Sequence, residues 1–207
     1  ANAAFWGERG AEAASAIPPL CPNEEDESDT SKQEITQAMG YPLQGGLSTG
    51  SNLACDTADG TNILVPKAGT DYLAVRRFNS CALGTTGCDT ATSNFHAQVN
   101  GCYKLSNPLN PGTTLIRKDG DIATDLDYTI RDCATLAPRY RFLNRIYYVD
   151  VEDDEAVETG HLVRAELEGT TYTKTALVEG VELLRFEFGV DDTGSDGQVD
   201  TFSTIND

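Results

Sequence analysis

The sequence is poor in the features that mark most enzymes, membrane spans and nucleic-acid binders. No run of about twenty apolar residues occurs, so no segment reads as a helix able to cross a bilayer. No basic start followed by an apolar middle marks a secretory leader. Basic residues are few, 15 against 33 acidic ones, which leaves a net charge of −18. A field of that sign repels phosphate backbones and argues against nucleic acid as a partner. There are only 2 histidines. No CxxC pair, HExxH string or phosphate-binding glycine loop is present, which removes the usual signals for zinc ribbons, zinc peptidases and nucleotide hydrolases.

Glycine, small polar residues and cysteine are present in quantity. With 19 Gly, 8 Pro and 39% hydrophobic residues, the composition is globular but rich in turns, as in a secreted β protein. The six cysteines, Cys21, Cys55, Cys81, Cys88, Cys102 and Cys133, form an even set without metal-ligand spacing. Disulfides in an oxidising compartment account for them better than zinc does. Sequence leaves the pairing open, although Ala-Leu-Gly-Thr-Thr-Gly between Cys81 and Cys88 is a short turn that favours joining those two. Disulfide chemistry without an export signal implies that an N-terminal targeting or anchoring segment has been removed.

Along the chain, residues 1–16 are rich in Ala and Glu and are expected to be helical, with Phe5 and Trp6 as packing residues and Ile17-Pro18-Pro19 as the stop. Asn23 to Thr30 is an acidic run and reads as a solvated loop. Ser31 and Glu34 form a capping box for a short helix through Ile35, Ala38 and Met39. Residues 1–42 are thus a helical start with an acidic insertion. Residues 43–207 are a β domain, and both belong to one globular body. Residues 43–62 read as loop. Strands are expected over Asp71–Phe78, within Phe95–Leu105, at Leu115–Arg117 before a Lys118–Asp121 turn, and over Tyr140–Val151. Three more follow over His161–Leu167, Tyr172–Val178 and Val181–Val190. Arg139, Arg141 and Arg145 share one strand face by period two. A solvated face or an acidic partner suits them, and Arg76 and Arg77, better than nucleic acid.

Three segments carry a resemblance. Arg141–Val149 (RFLNRIYYV), Leu177–Asp191 (LVEGVELLRFEFGVD) and the Asp/Gly loop Asp192–Asp200 resemble the PilW family of type IV pilus assembly proteins. Ile35–Pro42 and Gly69–Ser80 are weaker matches to the end of that family's N-terminal helix and to its early strand. The resemblance implies an α+β, pilin-like fold: an N-terminal helix packed on a mainly antiparallel sheet, with long disulfide-stapled loops. It also implies a structural subunit and not an enzyme. As a minor pilin it would prime assembly near the fibre tip, with other minor pilins and the major pilin as partners. A helix upstream would hold it at the periplasmic face of the inner membrane before assembly. The chain departs from the family pattern by its acidic insertion over residues 17–34 and by ending where one more strand is expected. An open sheet edge there would be a partner site.

One loop invites a metal. With Asp192 as first position, Asp196, Gly197 and Asp200 fall at the fifth, sixth and ninth positions of a calcium loop. Gly194 and Ser203 stand where two further ligands belong, so a plain acidic hairpin loop is the stronger reading, and no cofactor is required. His96 and His161 sit in strand-like segments without an adjacent acid and read as sheet residues. Glu152, Asp153, Asp154 and Glu155 read as a solvated turn more readily than as glycosidase carboxylates. Three other functions compete with the pilus reading: a type II secretion pseudopilin, a calcium-dependent adhesion or carbohydrate-binding module, and, more distantly, a hydrolase.

Overall fold

A computed structural model describes residues 17–22, 35, 37–55, 57, 64–88, 90–102, 114–117, 126–151, 160–192 and 197–204. Among the described residues, nine strands run in chain order: β1 (Leu43–Leu47), β2 (Asp71–Ala82), β3 (His96–Val99), β4 (Thr114–Arg117), β5 (Arg139–Val151), β6 (Gly160–Glu168), β7 (Thr171–Glu179), β8 (Glu187–Val190) and β9 (Thr201–Thr204). The strand order is β1-β2-β5-β3-β4, with β6 between β5 and β7, while β8 and β9 form a separate two-stranded sheet. The resolved pairings are antiparallel.

This overturns the expected helix-on-sheet plan. Among the described residues only Ile35, Gln37 and Ala38 are helical, and all the long elements are strands. The α+β expectation rested on family resemblance and on Ala and Glu propensity, which is a weak prior without an apolar face to bury. Residues 1–16, the acidic run Asn23–Thr30, the Ser31/Glu34 capping box, the Lys118–Asp121 turn and the Glu152–Glu155 run lie outside the described residues.

The chain divides into two compact units. The first takes Ala1–Pro42, Arg76–Asn144 and Leu167–Thr171, and the second takes Leu43–Val75, Arg145–Glu166 and Tyr172–Asp207. The first unit buries Phe95, Ala97, Phe142 and Leu143, and Phe78 meets Phe142 edge-on with ring centroids 6.1 Å apart. It also buries polar groups that each find partners. The Gln98 amide nitrogen donates to the Tyr128 and Ala137 carbonyls at 3.1 and 2.7 Å, and its carbonyl oxygen accepts from the Tyr128 N–H at 2.8 Å. One side chain thereby holds a loop to β3 as a strand would. A disulfide between Cys102 and Cys133 closes the same loop, where Cys133 adopts φ 57°. Cys81 is joined to Cys88, and Cys21 and Cys55 are also disulfide-bonded, so no cysteine is free.

Arg76, only 1% exposed, reaches from β2 to donate to the carbonyls of Pro19, Leu20 and Tyr41 at 3.1 Å each. The Asn144 amide donates to the same Leu20 carbonyl at 3.0 Å. Two polar side chains therefore pin the Pro19–Leu20 segment, the Arg76 bonds being charge-assisted.

In the second unit, Ile146 and Tyr148 of β5 lie opposite Ala165 and Val163 of β6 on one face, while buried Val149 lies opposite Leu162 on the other. The register sets Arg145 opposite Glu166, whose carboxylate accepts from Arg145 Nε at 2.8 Å. Burial is the largest single influence and lowers the Arg145 pKa, but the hydrogen bond and charge of Glu166, with Tyr147, together outweigh it and hold the guanidinium above its ordinary value. β1 lies on β2 although residues 43–62 were expected to be loop. Gly46 sits directly beneath the Tyr72 ring, so that a Cβ at position 46 would lie 2.3 Å from the Tyr72 hydroxyl. Its two glycines lower β-propensity, but they admit that aromatic cover.

Candidate functional surface

β2 opens with Asp71, which is buried at the start of the strand. Its N–H donates to the Leu184 carbonyl at 2.9 Å. Its carboxylate accepts from the Phe186 N–H at 2.8 Å and from Arg185 Nη1 at 3.2 Å. Upstream, the Val181 N–H donates to the Gly160 carbonyl at 2.9 Å. A Cβ on Gly160 would stand 2.1 Å from the Val181 carbonyl oxygen, so the approach requires glycine. Residues 181–186 are consequently fixed by latches and not by a ladder. This explains why only Glu187–Val190 of the expected Val181–Val190 strand is sheet.

Large apolar side chains stand outward in and around this segment. Leu177 and Val178 on β7, Leu183 in the latched segment, and Val190, Val199 and Phe202 around the β8–β9 hairpin are all exposed, Phe202 at 73%. A hairpin of two short strands has little core of its own, which leaves large apolar side chains in solvent in this part of the chain.

The residues singled out for chemistry are dispersed. Asp192 and Asp200 flank the loop between β8 and β9, while Asp196 lies outside the described residues. Asp200 Oδ2 accepts from the Asp192 N–H at 3.1 Å, Asp192 Oδ2 from the Thr201 hydroxyl at 3.4 Å, and Asp191 Oδ2 from the Gly197 N–H at 2.7 Å. Backbone and hydroxyl donors thus use these carboxylates as a turn does. Among the described residues, no group of three or more His, Cys, Asp or Glu side chains is placed to hold a metal. His96 is buried with Nδ1 2.8 Å from the Asn94 carbonyl oxygen, and His161 lies opposite Asp150 in the β5–β6 register.

The arginines are engaged individually. Arg139 donates to the Leu126 carbonyl, Arg141 to the Leu167 carbonyl and Arg145 to Glu166, while Arg76 is buried. Gly46-Leu47-Ser48-Thr49-Gly50 has the letters of a nucleophile elbow, but Ser48 ends an antiparallel edge strand and its hydroxyl donates to the Pro66 carbonyl at 2.7 Å. That is a structural serine. Sequence reading missed Asp71, since a single acid opening a strand carries no pattern. Its only trace was the preceding Gly69-Thr70 turn.

Residues 146–207 match a family model described as Type IV Pilus-assembly protein W, PilW. The match contains the whole latched segment and every residue of the apolar surface just described. It supports a part in type IV pilus assembly and an association with the cell envelope. No curated protein and no solved structure matches the chain.

Proposed function

Taking residues 146–207 as PilW-family sequence, we propose that this chain is a structural minor pilin of the type IV pilus, acting near the fibre tip during priming of assembly. It works by presenting the apolar surface around Leu177, Leu183 and Phe202 to other minor pilins and to the major pilin. The coincidence of the family match with that surface carries the reading. A subunit of this kind needs a stiff β scaffold and a region left uncovered until assembly, and no reacting groups. Disulfides suit residence on the periplasmic side of the inner membrane and afterwards on the cell surface. Deletion of the gene is expected to abolish surface piliation and twitching, with recovery on complementation by the intact gene but not by one encoding Phe202→Asp and Leu183→Asp together. Normal piliation in the deletion strain would dismiss the proposal.

A further inference from the structure

The far edge of the sheet has an orientation that can be worked out from its hydrogen bonds. The Arg76 N–H donates to the Pro42 carbonyl and the Ser48 N–H to the Thr70 carbonyl, each at 2.8 Å. Hydrogen-bonded pairs alternate along an antiparallel ladder, so Gln44 and Gly46 also turn their backbone groups toward β2. Leu43, Gly45 and Leu47 must then point theirs away from it. β1 pairs only with β2, and these three residues have no other hydrogen bond among the described residues. All three are exposed, Leu43 at 50% and Leu47 at 37%.

Proteins usually guard such an edge with charge, proline or a bulge. Here the chain from Ile35 to Cys55 contains no Asp, Glu, Lys or Arg, in a molecule of net charge −18. The β7 edge, by contrast, carries Lys174 and Glu179. The outward set Leu43, Gly45, Leu47 also reads the same in both directions.

We propose that β1 is a self-association edge, where a second copy of this chain pairs antiparallel about a two-fold axis at Gly45. Gly45 then faces its own counterpart and each Leu43 faces the other copy's Leu47, every pair exchanging two hydrogen bonds. Exposed leucine meets exposed leucine on one sheet face. The occupant is a second copy because the strand is self-complementary, and because two strongly acidic molecules can approach closely only where neither carries charge. The contact is short, so the dimer is weak and forms at high local concentration. Unlike an ion-paired interface, it tightens as salt screens the mutual repulsion. This inference does not depend on the pilus reading.

Sedimentation velocity of the full chain over a range of concentration, at low and high sodium chloride, tests it. A monomer–dimer equilibrium that strengthens with salt is expected. Leu47→Glu and, separately, Gly45→Pro should each raise the dissociation constant by about tenfold or more. Thermal unfolding checks that both variants remain folded. Should either not fold, hydrogen exchange on the wild type replaces it, with slowing of the Leu43, Gly45 and Leu47 amides expected on dimerisation. A monomer under every condition would overturn the proposal. So would a dimer indifferent to both substitutions, unchanged exchange at those amides, or pairing of this edge only with a different protein.

Discussion

The two compact units differ in emphasis, although each buries some polar side chains and exposes some apolar ones. The first hides polar side chains, Arg76, Asn94, His96, Gln98, Asn100 and Asn144, and the second leaves large apolar ones, Leu43, Leu47, Leu177, Leu183 and Phe202, in solvent. Both cases break the usual rule, and for different physical reasons. Buried polar groups in the first unit substitute for missing strands: Arg76, Gln98 and Asn144 donate to loop carbonyls, while Asn94 and Asn100 accept from backbone N–H groups. Among the exposed apolar groups of the second unit, Leu183 follows from the latches, which fix backbone without covering side chains, whereas Leu43, Leu47, Leu177 and Phe202 stand on short or edge strands. The first unit is therefore specialised for holding loops and the second for offering surface.

Removing the cross-link of the first unit should have the largest effect. Cys102 and Cys133 are 31 residues apart, and loop entropy assigns a bridge of that span about 4 kcal/mol. Replacing both with Ala should lower stability by that amount in urea denaturation, with hydrogen exchange rising first at Gly101, Ile130 and Ala137. Exchange rising equally in both units would break the comparison.

The second unit depends on close approach instead. Gly160→Ala drives a Cβ into the Val181 carbonyl, a backbone atom that cannot swing aside, and should cost about 3 kcal/mol. Asp71→Ala strands the Phe186 N–H and Arg185 and should cost about 2 kcal/mol. It should also raise protease sensitivity within residues 181–190 while leaving the first unit protected, which limited proteolysis with mass mapping would show.

Tyr148 sharpens the contrast in the opposite direction. It is buried in the second unit, and its hydroxyl has no hydrogen-bond partner among the described residues. Burial, with help from the charge of Asp150, pushes its phenol pKa well up. The unfolded chain releases this proton first, so the stabilisation is complete below about pH 10 and declines as pH rises beyond it. Tyr148→Phe should change stability by no more than about 1 kcal/mol at neutral pH, in the stabilising direction, and should flatten the alkaline decline. The smallest effect is expected of calcium. Millimolar calcium should leave the melting temperature unchanged, because Asp191, Asp192 and Asp200 already serve backbone and hydroxyl donors in the turn.

Much of the sheet was legible in the sequence. Alternation and β-branched content marked β2, β5, β6 and β7, since a strand with one covered face must repeat every second residue. The Cys81–Cys88 loop was legible as a turn, and the strings within residues 146–207 were legible as family text. β1 was not, because Leu-Gln-Gly-Gly-Leu has poor strand propensity and is ordered by β2 and the Tyr72 ring. β9 gave no signal, as Thr-Phe-Ser-Thr is short and pairs only with β8. The expected helix-on-sheet plan came from Ala, Glu and resemblance, whereas the described residues hold a β fold.

By itself, then, the sequence determined the β-rich character, the acidic net charge, a cysteine set suited to disulfides, and the C-terminal strings that a family model matches. Each of these is a property of composition or of local repeat. Tertiary structure alone decided that Asp71 would latch Leu184 to Phe186, that Gln98 and Arg76 would stand in for strands, and that Leu43, Gly45 and Leu47 would face outward from an uncharged edge. Those outcomes depend on which residues distant in the chain lie opposite one another. Register fixes that, and neither propensity nor spacing encodes it.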